Sequence, residues 1–279
     1  MKKSLFALLA LIIMFSSCEW LEDNAPDGLS DEEIVEGLKT ALSVGADTAA
    51  TTLSIINGYY GNPLLKIPLP EEAELVRDFV TNNNVVKSFF DLDQEFENVI
   101  LSINRAAEDA AKEAAPIFKN AIMNLSITQG LDILNGIVPG GTGTSSGNFD
   151  STAATGYLKI QTFEPLQGLY APKINTALGK DLGLGFSAVD AWGTLTTTYN
   201  SVLSRSDVQA AILAATAFGT TVDIPGEMNT DLGDFSTEKA LTGLFYRVGQ
   251  EEVNIRRNPL EWIATTVGAI LEKVFGSNS

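Results

Sequence analysis

The sequence predicts an all-α protein: a single multi-helix bundle of about eight to ten helices. Three observations carry that prediction. Apolar residues recur three and four apart over long stretches, as in Phe96, Val99, Ile100 and Ile103. Ser-x-x-Glu and Ser-x-x-Gln boxes stand where such stretches begin, the pattern in which side chain and backbone cap each other at a helix start. Asn-Gly, glycine and proline stand where they end.

The totals limit the chemistry. The 279 residues suffice for a sizeable core. Acids outnumber bases 35 to 18, for a formal charge of −17. Such a surface repels phosphate backbones, so no nucleic-acid partner is expected. It also repels anionic headgroups, so membrane attachment has to come from a greasy anchor. There is no histidine, which removes Ser-His-Asp and Cys-His catalysis and histidine metal sites. The one cysteine, Cys18, allows no internal disulfide and no cysteine-based metal cluster. No metal and no cofactor are expected.

Residues 1–17 read as a signal peptide. Lys2 and Lys3 precede an apolar run from Leu5 to Phe15, then Ser16 and Ser17 precede Cys18. The run is shorter than the roughly 20 apolar residues of a permanent span. The arrangement resembles a bacterial lipoprotein signal, in which cleavage falls before the cysteine and that cysteine carries the lipid. Residues 18–28 form an acidic tether, at most roughly 35 Å long at about 3.3 Å per residue. Acids close behind a lipidated cysteine resemble the surface-export signal of some Gram-negative lipoproteins. The predicted location is therefore the cell envelope, on the periplasmic face or the outer surface of the outer membrane.

The helical domain is placed at 29–276. Ser30 and Glu33 form a capping box, Leu29 and Ile34 a hydrophobic staple, and Ile34, Leu38, Ala41, Leu42, Gly45, Ala49, Leu53 and Ile56 one face of the first helix. Asn57-Gly58 ends it with a left-handed residue. Three prolines between Asn62 and Pro70 predict an extended segment over the domain. Pro70 then opens a second helix with Leu75, Val76, Phe79 and Val80 inward. Residues 92–135 form the predicted central hairpin, rich in alanine around Arg105 and Glu108, with Pro116 ending one helix or starting another. Ser126 and Gln129 box a short helix that runs to Gly136.

Several of these blocks resemble an uncharacterised bacterial family, domain of unknown function 4197. They include Gly37-Leu38-Lys39, Ile67-Pro68-Leu69-Pro70, Asn104-Arg105-Ala106-Ala107-Glu108, Asp132-Ile133-Leu134-Asn135-Gly136, Thr237-Glu238-Lys239-Ala240-Leu241 and Asn258-Pro259. The resemblance runs from Leu29 to Gly276. It implies an exported, all-helical bacterial protein, and it supplies no activity.

The second half carries more decoys than motifs. Residues 139–149 are a Gly/Ser-rich loop; no Gly-Lys-Ser/Thr follows, so it is not a phosphate-binding loop. Ala153 to Lys180 reads as two short helices parted near Pro165 and bent near Pro172. In the next helix, beginning at Ser187, Val189, Trp192, Leu195 and Tyr199 share a side, and Trp192 with Tyr199 reads as packing rather than a sugar platform. Val208, Ala211, Ile212, Ala215 and Phe218 mark a further helix. Asp223, Glu227, Asp231 and Asp234 lack the spacing of a calcium loop. Ser236 and Lys239 match S-x-x-K without the partner motifs of penicillin-recognising enzymes, so Ser236 is read as a helix cap. A last helix is predicted after Asn258-Pro259.

Four residues remain as a possible ion-pair or ligand cluster: Arg105, Glu108, Glu252 and Arg256. The preferred reading is a structural network between helices, within a lipid-anchored module that binds a protein, a glycan or a small apolar ligand. The alternative is a carboxylate-based acid/base hydrolase of an envelope glycan, with Glu108 and Glu252 as the catalytic pair. That chemistry needs two carboxyl groups facing each other roughly 5–9 Å apart across an open cleft.

Overall fold

The computed structural model describes residues 30–82, 92–141, 149–219, 224–226 and 228–258. The leader, Cys18, the tether, Leu29, Asp223, Glu227, residues 142–148 of the glycine-rich loop and the last predicted helix lie outside the described residues. Among those described the fold is all-α, as the sequence predicts. Nine α-helices follow in order: α1 (Asp31–Ser54), α2 (Glu71–Asn82), α3 (Asp93–Ala111), α4 (Ala115–Met123), α5 (Ile127–Leu134), α6 (Ala153–Leu178), α7 (Ala188–Leu203), α8 (Ser206–Ala217) and α9 (Leu232–Arg257). No described helix is long and apolar enough to cross a membrane.

Helix ends follow local chemistry. Ser30 Oγ accepts from the Glu33 N–H at 3.3 Å while Glu33 Oε2 accepts from the Ser30 N–H at 2.9 Å. Ser126 and Gln129 make the same reciprocal pair at α5, and Ser187 and Asp190 make it at α7. At the end of α5 the Ile137 N–H reaches back to Asp132 O and the Gly136 N–H to Ile133 O, with Gly136 at φ +72°. That double closure needs a left-handed residue, which glycine supplies without steric cost.

Helix α3 sits centrally, against α1, α6, α7 and α9, while α9 packs along α6 and α1. Alanines at 106, 107, 110 and 111 are fully or nearly fully buried and let those neighbours approach. The chain does not fold back on α3 as a hairpin. It continues through a 3-10 turn, Lys112–Ala114, and α4 lies on α1 and α6, with Pro116 in its first turn.

Five expectations give way to tertiary packing. Helix α6 is continuous through Pro165 and Pro172. Buried side chains at Ala154, Leu158, Thr162, Leu166, Tyr170, Ile174 and Leu178 recur every fourth residue across both prolines, so packing along the whole length outweighs two missing N–H groups. The segment after α1 is turn-rich from Asn57 to Leu65, closed by Gly61 N–H to Asn57 O and Leu65 N–H to Asn62 O, and extended only beyond. Ile56 lies past the end of α1 and is exposed, and Leu75 on α2 and Val189 on α7 also point outward. Phe218, beyond α8, is 90% exposed. Helix α9 starts at Leu232, with Asp231 Oδ1 accepting from the Asp234 N–H at 3.0 Å, so Ser236 is an interior residue rather than a cap.

Candidate functional site

The four residues singled out from the sequence fall into two pairs with separate tasks. Glu108 is buried on α3. Its Oε1 accepts from the N–H groups of Tyr59 and Tyr60 at 3.2 and 3.1 Å, and its Oε2 from Arg105 Nη1 at 2.5 Å. Arg105 Nη2 donates to Asn57 Oδ1 at 2.9 Å. Asn57 itself stands at φ +70°, the left-handed conformation that asparagine tolerates better than most residues. One turn earlier, Asn104 takes the Ile67 N–H on Oδ1 at 2.9 Å and donates Nδ2 to Ile67 O at 2.8 Å. Asn104, Arg105 and Glu108 therefore fasten the 57–67 ribbon to α3. The ribbon drives the fully buried Tyr59 ring against Gly243 of α9, where its hydroxyl donates to Ala240 O at 2.8 Å. Burial raises the Tyr59 hydroxyl well above its ordinary range, so it remains a donor.

Glu252 on α9 does equivalent work for α6. Its Oε1 accepts from the Ala154 N–H at 3.0 Å, and its Oε2 from the Thr155 N–H and hydroxyl, both at 2.8 Å. Thr152, which precedes α6, makes no side-chain cap. A carboxylate from a distant helix satisfies the open N–H groups instead and faces the positive end of the α6 dipole. Arg256 completes the cluster, reaching Glu252 Oε1 through Nε at 3.1 Å and Nη2 at 2.8 Å, and Ile133 O through Nη2 at 2.9 Å.

Sequence reasoning missed a third such clamp. Glu72 Oε2 accepts from the N–H groups of Asn229 and Thr230 and from the Thr230 hydroxyl, at 2.8 to 2.9 Å. It holds the loop that leads into α9. All three glutamates take two successive N–H groups from a segment far away in sequence, and no local pattern marks that distant partner.

The remaining candidates resolve into packing. Tyr199 is buried, and its hydroxyl donates to Pro225 O at 3.0 Å; burial pushes it up to about 12. Trp192 packs on the same core. Ser236 is fully buried, while Lys239 lies beside Glu238 at 3.8 Å and over the Phe235 ring at 5.7 Å. Among the described residues, no three acidic side chains converge as a cation site would require.

Among the described residues, a concavity on α9 has the size of a ligand site. A groove of about 550 Å³ runs along the outer face of α9. Tyr246, Arg247, Gln250 and Arg257 rim it, and Phe245, Gly249 and Val253 lie along it. Thr152 and Thr155 of α6 form the opposite wall. The rim is ordered: Arg247 Nη1 donates to Gln250 Oε1 at 3.2 Å, and Gln250 Nε2 donates to the Tyr246 hydroxyl at 3.1 Å. Neither Glu108 nor Glu252 is among its lining residues.

This chain belongs to the family of proteins of unknown function designated DUF4197, which matches residues 28–276. No curated protein and no solved structure matches it. The family carries no activity with it.

Proposed function

We propose that the chain is a lipid-anchored envelope protein whose helical body is a non-catalytic binding module. The observation that carries this reading is the state of its two best-placed carboxylates. Glu108 and Glu252 each have both oxygens occupied by backbone N–H groups and a guanidinium, and each is nearly inaccessible, at 3% and 4% exposure. A general acid or base has to reach a substrate proton, and these two carboxylates are spent on holding segments together. The open groove, by contrast, is lined by neutral polar groups, two arginines and carbon, with no carboxylate among its described lining residues. Attachment through Cys18 rests on the sequence pattern around the only cysteine, and several acyl chains at about 0.8 kcal/mol per buried CH₂ would hold the body firmly.

The test is a pull-down and fractionation from native membranes after metabolic labelling with a palmitate analogue. The wild-type chain is expected in the membrane fraction, carrying label; Cys18→Ser is expected to lose both. Unchanged membrane recovery of the variant removes the anchor. Release of reducing ends from envelope glycan by the purified chain, abolished by Glu252→Gln, would replace the binding reading with the hydrolase.

A further inference from the structure

The groove on α9 also carries a statement about what fits it. Acids outnumber bases nearly two to one in this chain, yet among the described residues the groove is lined by two arginines and no acid. The neighbouring carboxylates are turned elsewhere. Glu252 points into the start of α6, and Glu251 is fully buried, with its Cβ against the position of Gly45 on α1. Arg247 is partly neutralised by Glu251, whose Oε1 lies 2.5 Å from Arg247 Nη2. Arg257 is exposed and makes no ion pair among the described residues, so it is the groove's available positive charge.

Between them the lining is largely carbon. Gly249 faces the methyl groups of Thr152 and Thr155, and Val253 and Phe245 lie along the same lining. Gly249 is informative because nothing forbids a side chain there. A Cβ would meet only Thr152 and Thr155, at 3.7 Å, an ordinary contact distance. Glycine inside a helix costs about 1 kcal/mol relative to alanine. At Gly243 of the same helix the Tyr59 ring accounts for the glycine; at Gly249 the only thing preserved is the open floor of the groove.

We propose that this groove binds an amphiphilic organic anion. Its carboxylate or phosphate group pairs with Arg257, and its apolar body lies over Val253 and Gly249 toward Tyr246. The distance from Arg257 to Gly249 is about 12 Å along the helix, at 1.5 Å per residue, the reach of a medium-length acyl or aryl group. The volume lies within the range of ordinary small-molecule sites, roughly 300–1,000 Å³. Electrostatics favour an anion here: the surface as a whole is acidic, and the Arg257 guanidinium gives the groove a local positive charge. This rests on reading the body as a binding module, and it names the ligand class for that module.

The experiment follows thermal unfolding of the full chain by intrinsic fluorescence, because a ligand that binds only the folded state raises its melting temperature. The probes are hexanoate, hexyl phosphate and, at equal concentration and ionic strength, the neutral hexanol. Both anions are expected to raise the melting temperature in a saturable way, and hexanol is not. Stronger binding of hexanoate assigns a carboxylate ligand, and stronger binding of hexyl phosphate a phosphate monoester. Arg257→Gln is expected to weaken either by about tenfold or more, the usual consequence of losing a charge-assisted pair. Gly249→Leu fills the floor, keeps its helicity by circular dichroism and is expected to abolish the shift. The proposal is overturned if hexanol stabilises as well as the anions, if neither anion stabilises, or if both variants respond like wild type. Cys18 takes no part in this measurement, so a lost anchor and a lost ligand are told apart. Glycan hydrolysis with an intact hexanoate response would sink the non-catalytic reading while leaving the groove in place.

Discussion

Glu251 and Glu252 are neighbours in the chain, and both are buried, yet set about 100° apart around α9 they meet different chemistry. On the α6 flank, Glu252 meets two backbone N–H groups, a hydroxyl and a guanidinium. On the α1 flank, Glu251 has the Arg247 guanidinium close by, and neither of its oxygens has a hydrogen bond of good geometry. Burial raises the Glu251 carboxyl above its ordinary value of 4.5, and Arg247 and Asn254 only partly oppose that. The lesson is that burial does not by itself make a carboxylate stabilising. What decides is whether the surroundings were built to receive its charge.

The strongest way to break this comparison is Glu252→Ala. It strands the Ala154 and Thr155 N–H groups and leaves the Arg256 guanidinium, 8% exposed, without its carboxylate. Removing one partner of a buried pair typically costs about 3–5 kcal/mol. Urea unfolding should place the variant that far below wild type, with the loss of helix protection greatest at the start of α6 in hydrogen exchange. A loss under 1 kcal/mol would mean that water replaces the carboxylate and that the flanks are not different in kind.

Glu251→Gln should act in the opposite direction and more weakly. Below pH 4.5 the carboxyl is protonated in both the folded and the unfolded chain, and its charge costs nothing. As pH rises through the window between that value and the raised folded value, the unfolded chain releases its proton first. Stability therefore falls with rising pH across that window, and the penalty persists above it. The glutamine variant lacks this dependence, so its advantage over wild type should grow from pH 4 to pH 8 in paired urea melts. A variant less stable than wild type at pH 8 would show that the contact with Arg247 outweighs burial.

The smallest effect sharpens the comparison through glycine. Gly249→Ala introduces a methyl at 3.7 Å from Thr152 and Thr155, so the helix should gain about 0.5–1 kcal/mol. Gly45→Ala, on the α1 flank, places its methyl 3.0 Å from Ile255 Cδ1. That forces the isoleucine to shift and should consume the gain. Thermal melts of the two variants side by side should separate them by sign, or nearly so.

These flanks also mark where reading the sequence stops. The Ser30 and Ser126 boxes, and the helix start at Ser187, were legible because donor and acceptor lie three residues apart on one chain. The apolar stripe of α6 was present every fourth residue, but the rule that proline breaks helices masked it. Ser236 reads from the sequence as the cap of this helix, but with Leu232 and Ser236 buried, α9 starts a turn earlier and Asp231 caps it. The importance of Glu108 and Glu252 could be suspected from the arginines one turn away. Their partners at Tyr59, Tyr60, Ala154 and Thr155 could not, and Glu72 gave no signal at all.

By itself, the order of residues determined the helical class, most helix ends, and the absence of histidine and of a second cysteine with the chemistries they would supply. These follow from interactions within a few residues or from simple absence, and neither depends on how the chain folds back on itself. Only the tertiary structure decided that three glutamates serve as clamps, that Glu251 is held in an ill-suited place, and that a groove with no acid among its described lining residues lies open on an acidic protein. Each of those depends on groups 40 to 160 positions apart meeting in space, and spacing along a chain carries no record of such meetings.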